Sequence, residues 1–249
     1  MRPYLLKGHD RPLTQVKFNR EGDLFVTCAK NNQPCLWWSD DGKRVGTFEG
    51  HNGAVWSCDM TWESDRLITA SADQTVRIWD MTNGKEQFQF KMGEPCRACN
   101  LSLGEQMLAF TTDAFMGSSP MVHLAKLEDD LSHQTAKTVL GIQAPKGRIT
   151  RVFWSDMNRT LVTSHDGGFV RKWDSEVGPA LQPVQLQHLT THAGRVPSAC
   201  VVFLLISFLS ISSLVRKHGF FCFLTLYPTV KVSTDLLHPH AVLSRCMTM

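Results

Sequence analysis

The sequence repeats itself with a period of 42 residues, and this period limits the folds that are open to the chain. His9 and His51 each follow a glycine and stand 42 residues apart, as do Trp37 and Trp79. A later unit, the fourth, ends in Trp-Asp at positions 173–174. Units of this size cannot bury both of their faces alone, so they stack on one another and share a core. We therefore expect an array of similar units.

Each unit consists of short segments in which apolar and polar residues alternate. In the second unit this alternation predicts strands over 54–60, 66–71 and 75–80, with turn residues between them. The third unit lacks both Gly-His and Trp-Asp, but strands are predicted over 107–111 and 121–124. Several short strands in a repeat of about 40–45 residues, with Gly-His and Trp-Asp signals, are typical of WD40 β-propeller blades.

These observations predict an all-β fold, an incomplete WD40 β-propeller with about four to four and a half blades. The expected domain is 1–193, with blades at about 1–45, 46–90, 91–140 and 141–180 and the start of a fifth near Leu181. Residues 194–249 contain no Trp, no Gly-His pair and one acidic residue. We expect this apolar tail to derive from intron or frameshifted sequence. A membrane helix over 196–215 is the alternative, since that segment carries no charge.

The Gly-His and Trp-Asp residues are expected to be structural. A buried tryptophan needs an acceptor for its indole N–H. WD repeats typically provide one through a hydrogen-bonded set of a histidine, a strand serine or threonine and a turn aspartate. In the second unit the predicted set is His51, Ser71, Asp73 and Trp79. Leaving such buried groups unpaired costs about 1–3 kcal/mol each, so Asp73→Ala is expected to destabilise the domain.

The first unit offers a weaker version of this set. It has His9 and Trp37, with Thr27 and Asn31 in the corresponding stretch. The residue after its tryptophan is Trp38, so this unit lacks the final aspartate.

The fourth unit offers Trp173, with His165 and Asp166 near a predicted turn. The complete predicted structural set is His9, Trp37, His51, Ser71, Asp73, Trp79, Asp80, Trp173 and Asp174.

Charge argues against a nucleic-acid platform. The formal net charge of the chain is +3, but residues 1–193 carry 21 Lys or Arg and 22 Asp or Glu. The excess of positive charge therefore lies in 194–249. A near-neutral body does not provide the basic surface by which proteins hold nucleic acid through bulk charge.

The sequence offers little for catalysis, metal binding or export. No nucleophile motif or phosphate loop is present, so we expect a protein that is not an enzyme and has no cofactor. Cys96 and Cys99 form a lone CxxC, which we interpret as packed free thiols, because a zinc site needs two further ligands. Residues 1–10 have no apolar core of the kind that signal peptides contain, which predicts a cytoplasmic protein.

Two stretches resemble subunit I of eukaryotic translation initiation factor 3. They are LLKGHDRPLTQVKFNREGDLFVTCAKN at 5–31 and WWSDDGKRVGTFEGHNGAVWSCD at 37–59. Thr-Thr-Asp at 111–113 followed by Met-Gly at 116–117 also resembles the third blade of that family. The similarity covers about residues 1–192.

This resemblance implies a non-catalytic scaffold subunit in a cytoplasmic complex. The implied partners are the other subunits of initiation factor 3, the small ribosomal subunit with its pre-initiation complex and, indirectly, mRNA. No small-molecule substrate is implied. Two alternatives stay open at this point. One is a generic WD40 adaptor in signalling, and the other is a truncated variant without function.

Overall fold

The computed structural model describes residues 5–128, 130–143, 147–155, 157–166 and 170–174. These residues form four antiparallel sheets that follow one another along the chain as blades of a β-propeller, as the sequence predicts. Blade one consists of β1 (Leu13–Phe18), β2 (Leu24–Ala29), β3 (Cys35–Trp38) and β4 (Arg44–Thr47). Blade two consists of β5 (Val55–Met60), β6 (Arg66–Ser71), β7 (Thr75–Asp80) and β8 (Glu86–Lys91).

Blades three and four have the same order. Blade three consists of β9 (Cys96–Leu101), β10 (Met107–Thr112), β11 (Met121–Lys126) and β12 (Leu140–Gln143). A short 3-10 helix over Leu131–His133 lies in the connection between its last two strands. The described part of blade four consists of β13 (Ile149–Ser155), β14 (Thr160–His165) and β15 (Val170–Asp174). In every sheet the strands pair in chain order, as simple meanders.

The alternation of apolar and polar residues predicts the positions of the strands, whereas the predicted limits of the blades are less accurate. Predicted segments 54–60, 66–71 and 75–80 correspond to β5, β6 and β7, and the two segments predicted in the third unit correspond to β10 and β11. The divisions at 45, 90 and 140 each fall inside an outer strand. The Gly-His pair marks the loop after the outer strand, so that strand belongs to the preceding blade.

Some predictions concern residues outside those that the structure describes. They are the start of a fifth blade beyond Leu181, the tail 194–249 and the alternative membrane helix over 196–215. Within the described residues, no helix has the length and apolar character needed to cross a bilayer.

The core lies mostly between neighbouring blades. Phe48 and Trp79 pack in the cluster between blades one and two, and Phe90 and Phe110 pack in the cluster between blades two and three. Trp173 belongs to the cluster between blades three and four. Full burial of a large apolar side chain contributes about 1.5–3 kcal/mol, so each blade depends on its neighbours for much of its stability.

Candidate functional site

In blade two, a chain of hydrogen bonds links the buried tryptophan to a turn carboxylate. The indole Nε1 of Trp79 donates to Oγ1 of Thr69 over 2.9 Å. Oγ1 of Thr69 lies 2.7 Å from Nε2 of His51, and Nδ1 of His51 lies 2.7 Å from Oδ2 of Asp73. An ionised carboxylate can only accept, so Nδ1 of His51 carries a proton and donates it to Asp73. In the neutral ring Nε2 is then an acceptor, and the Thr69 hydroxyl donates to it.

Asp73 is the last acceptor in this series of hydrogen bonds. Its carboxylate also accepts hydrogen bonds from the backbone N–H of Asn52 and from the backbone N–H and hydroxyl of Thr75. Burial alone would raise the pKa of Asp73, but the hydrogen bonds from His51 and Thr75 outweigh burial and lower the pKa well below its usual range. Asp73 thus stays ionised and fixes the turn between β6 and β7.

The hydroxyl that meets the indole is that of Thr69, so the prediction of Ser71 was wrong. The hydroxyl of Ser71 donates to the carbonyl of Gly53 and accepts from the backbone N–H of Asp73. Trp79 lies opposite Leu67 in the β6–β7 ladder. At about 3.3 Å per residue, Thr69 is within reach of the indole nitrogen, whereas Ser71 is about 13 Å along the strand from Leu67.

The glycine before each histidine makes room for the tryptophan. A Cβ atom on Gly8 would lie 2.4 Å from ring atoms of Trp37. A Cβ atom on Gly50 would lie 3.1 Å from the ring of Trp79, and its φ of +152° is one that other residues rarely adopt. The Gly-His signature therefore combines a close backbone approach with the imidazole that closes the hydrogen-bond chain.

Blade one contains the same arrangement with an amide in place of the carboxylate. Nε1 of Trp37 donates to Oγ1 of Thr27 over 2.8 Å, and Nε2 of His9 lies 2.7 Å from the same hydroxyl oxygen. Nδ1 of His9 lies 3.0 Å from Oδ1 of Asn31. All four side chains identified from the sequence thus meet, but the last acceptor is neutral.

Blade four obtains its histidine from a different place. Nε1 of Trp173 donates to Oγ1 of Thr163 over 2.8 Å, and this oxygen lies 2.9 Å from Nε2 of His165. His165 belongs to β14 itself, whereas the repeat would supply a histidine from the loop before β13. Burial, together with Arg171, lowers the pKa of His165 to about 4, so the ring is neutral at physiological pH. Asp166 is exposed.

Blade three has replaced the polar set with an apolar one. Ala125 and Phe110 occupy the positions that correspond to Trp79 and Thr69 in the strand registers. The ring of Phe110 stacks on that of His123, with centroids 5.1 Å apart and planes at 19°. Burial lowers the pKa of His123. This blade therefore lacks the hydrogen bond between tryptophan and threonine that the other three blades contain.

The aspartate of Trp-Asp has a separate role in the outer turn. The carboxylate of Asp80 accepts from the backbone N–H and hydroxyl of Thr82 and from the side-chain amide of Asn83. These bonds lower the pKa of Asp80 and close the turn between β7 and β8. Trp38 occupies the equivalent place in blade one and is half exposed. The side chain of Asp174 lies outside the described residues.

The inner strands are joined by side chains that bond to the backbone of the next blade. Nε2 of Gln15 donates to the carbonyl of Cys58, and Oε1 of Gln15 accepts from the N–H of the same residue. Ser57 stands at the same register position in blade two, and its hydroxyl contacts both the N–H and the carbonyl of Cys99. Each such side chain satisfies a strand edge that would otherwise lack partners.

An ion pair and a series of hydrogen bonds link side chains of all four blades, and we call this network the polar seam. Nζ of Lys17 lies 2.9 Å from Oδ1 of Asp59, and this ion pair raises the pKa of Lys17. Oδ2 of Asp59 accepts from the side-chain amide of Asn100 over 2.7 Å and from the N–H of Leu101 over 2.8 Å. The backbone N–H and the indole N–H of Trp154 then donate to Asn100. This seam was not predicted from the sequence, although Lys17 and Asp59 are one 42-residue period apart.

Blade one exposes an apolar face whose equivalent in blade two is covered by a neighbouring blade. Leu13, Val16 and Phe18 are 56%, 47% and 55% exposed. Their register equivalents in blade two, Val55 and Cys58 among them, are at most 8% exposed because blade one packs on them. Within the described residues, no blade packs on this face of blade one.

The two thiols of the CxxC are buried in β9 and contact different neighbours. Sγ of Cys96 lies 3.6 Å from the carbonyl of Glu94, and Sγ of Cys99 lies 3.7 Å from the hydroxyl of Ser57. Burial raises the pKa of both thiols. Across the ranges that the structure describes, no group of three or more His, Cys, Asp or Glu side chains is placed to hold a metal ion.

Comparison with known proteins agrees with the geometry. The family described as WD domain, G-beta repeat matches residues 2–37 and 42–80, which contain the tryptophan sets of blades one and two. Subunit I of eukaryotic translation initiation factor 3 from Drosophila melanogaster is 38% identical over 179 residues, which are 72% of this chain and 55% of that protein.

A second relative gives the same result. Subunit I of eukaryotic translation initiation factor 3 from Bombyx mori is 36% identical over 188 residues, which are 74% of this chain and 56% of the relative. The chain thus spans little more than half the length of these curated relatives. The similarity to subunit I that the sequence motifs indicate is confirmed.

Proposed function

The chain is a WD40-repeat propeller protein related to subunit I of translation initiation factor 3, and we propose that it acts as a non-catalytic scaffold subunit of that factor. The observation that carries this proposal is the 38% identity over 179 residues, since WD repeats alone occur in proteins with many functions. The expected role is to support assembly of the pre-initiation complex on the small ribosomal subunit and recruitment of mRNA.

The geometry of the described residues supports a scaffold. His9, His51 and His165 each bond to a threonine that also binds a tryptophan, and the Asp73 carboxylate binds His51 and turn backbone, so these groups serve packing. The apolar face of β1 and the loops between strands are the surfaces that such a body offers to partners. The proposed partners are the other subunits of initiation factor 3 and the small ribosomal subunit, with mRNA contacted indirectly. The proposed location is the cytoplasm.

Affinity purification of the tagged 249-residue chain from cytosol, followed by mass spectrometry, tests this proposal. We expect enrichment of the other subunits of initiation factor 3 and of small-subunit ribosomal proteins. The matched control is the same chain with Trp79→Ala, which loses the centre of one blade and should recover chaperones instead.

Two results would contradict the proposal. Recovery of a signalling or ubiquitin-transfer complex without initiation factors would favour a generic WD40 adaptor. Recovery of the same chaperones by the parent chain and the Trp79→Ala variant would mean that the chain does not form a functional scaffold.

A further inference from the structure

Every inner strand contains a β-bulge at the same register position near its start. The residues displaced by the four bulges are Thr14, Trp56, Arg97 and Thr150. A bulge re-aims its side chain and is common beside binding sites. We call these four residues the bulge ring, because they occupy the same register position on the first strands of the four described blades.

Two cations lie close to the indole of Trp56, which is a member of the bulge ring. The guanidinium carbon of Arg97 lies 4.3 Å from the ring centroid of Trp56, and Nζ of Lys30 lies 5.6 Å from it. Lys30 is exposed and Trp56 is half buried. Both distances are within the range of cation–π attraction. The indole thus holds positive charge beside the bulge ring.

Arg151 adds a third cation to the same place. Its Nη1 donates to the carbonyl of Thr150 over 3.1 Å, and its Nη2 donates to the carbonyl of Thr14 over 3.0 Å. The guanidinium therefore connects the bulges of blades four and one. Burial lowers the pKa of Arg151, and the charge of nearby Arg97 lowers it further. These are the surroundings of a cation whose charge is poorly compensated.

Carboxylates compensate only part of this charge. Oδ2 of Asp113 lies 2.6 Å from Nη2 of Arg97 and 3.7 Å from Nε of Arg148. Arg148 also lies 3.9 Å from Asp166. Among the residues that the structure describes, neither Lys30 nor Arg151 has a carboxylate within 4.0 Å.

An ordered apolar turn follows the Asp113 carboxylate. Met116 is 93% exposed and has a φ of +48°, and Phe115 is also exposed. The hydroxyl of Ser118 accepts from the N–H of Phe115 and donates to its carbonyl, which closes the turn. The loop therefore holds two apolar side chains in the open in a fixed conformation, which favours contact with a partner.

We propose that the surface beside the bulge ring binds an acidic peptide segment that carries an apolar side chain. Lys30 and Arg151 receive its carboxylates, and Phe115 and Met116 contact its apolar residue. Charge complementarity favours this occupant over RNA. The indole of Trp56 already carries two cations where a base would stack, and residues 1–193 have no excess of positive charge. The site goes beyond the scaffold function, because it stands whether or not the chain joins initiation factor 3.

Fluorescence anisotropy with the full 249-residue chain tests the site. The probe is a fluorescein-labelled peptide with a central leucine flanked on both sides by glutamates. We expect saturable binding that weakens with added salt. Lys30→Met and Arg151→Met should each weaken binding about tenfold, since charge-assisted hydrogen bonds are lost. Met116→Ser should weaken binding about fivefold without changing its salt dependence.

The matched control is Lys43→Met, which removes one positive charge from an exposed side chain in the outer turn of blade one. It should leave binding unchanged. Lys30 is exposed, so Lys30→Met keeps the test decisive if Arg151→Met fails to fold. The proposal is overturned if a glutamine version of the peptide binds equally well, if Lys43→Met weakens binding as much as Lys30→Met, or if labelled oligouridylate binds more tightly than the acidic peptide.

Discussion

Thr69→Val is the most direct test of the hydrogen-bond chain in blade two. Valine has nearly the shape of threonine, so the change removes the hydroxyl and leaves the packing in place. Two buried groups lose their partner, namely the indole N–H of Trp79 at 2.9 Å and Nε2 of His51 at 2.7 Å. At about 1–3 kcal/mol for each unsatisfied group, we expect the free energy of unfolding to fall by about 2–6 kcal/mol.

Urea unfolding followed by tryptophan fluorescence measures this loss. With a slope of about 1–3 kcal/mol per molar urea, the midpoint should move down by at least about 0.7 M at unchanged slope. Thr69→Ser keeps the hydroxyl and should recover most of the loss. Thr135→Val alters an exposed threonine and serves as the control. A loss below about 0.5 kcal/mol for Thr69→Val would refute the reasoning, because that is the range of neutral surface changes.

Three further predictions concern charge and exposure. Because the folded-state pKa of Asp73 lies below its ordinary value, its contribution to stability is complete above about pH 4 and is lost as pH falls through the folded-state value. Asp73→Asn should therefore flatten the acid side of a stability profile measured by chemical unfolding, and an unchanged profile would contradict this. Asp59→Asn should lower the free energy of unfolding by about 2 kcal/mol, less than for a fully buried pair because Lys17 is partly solvated; an effect no larger than that of an exposed control would show that the seam is unimportant. Val16→Asn should be nearly neutral in thermal unfolding, whereas Val152→Asn at the equivalent buried position should cost about 2–4 kcal/mol, and equal losses would contradict the assigned faces.

Strand positions could be predicted from the sequence because burial on a pleated sheet imposes a period of two residues. The identity of the bonding hydroxyl could not, because Thr69 and Ser71 lie on the same face of one strand. The register of β6 against β7 decides between them. A signal was nevertheless present in the sequence, since Thr27 and Thr163 also stand ten residues before a tryptophan.

The histidine of blade four shows where a repeat misleads. Counting 28 residues back from Trp173 gives Pro145, which has no imidazole to offer. The structure instead uses His165, which is two residues beyond Thr163 and therefore on the same face of β14. Contacts between blades are harder still to predict, because the reach of Arg151 to the carbonyl of Thr14 depends on how the blades curve.

Sedimentation of fixed cytosolic extract on a sucrose gradient tests the central claim, a scaffold that joins the initiation machinery. The tagged chain and a Thr69→Val variant are expressed at equal levels and located by immunoblot across the gradient. The account predicts that the parent chain moves with the small ribosomal subunit and with other subunits of initiation factor 3, and that the variant is depleted from those fractions. A parent chain that stays at the top of the gradient, or that sediments apart from these partners, would contradict the account.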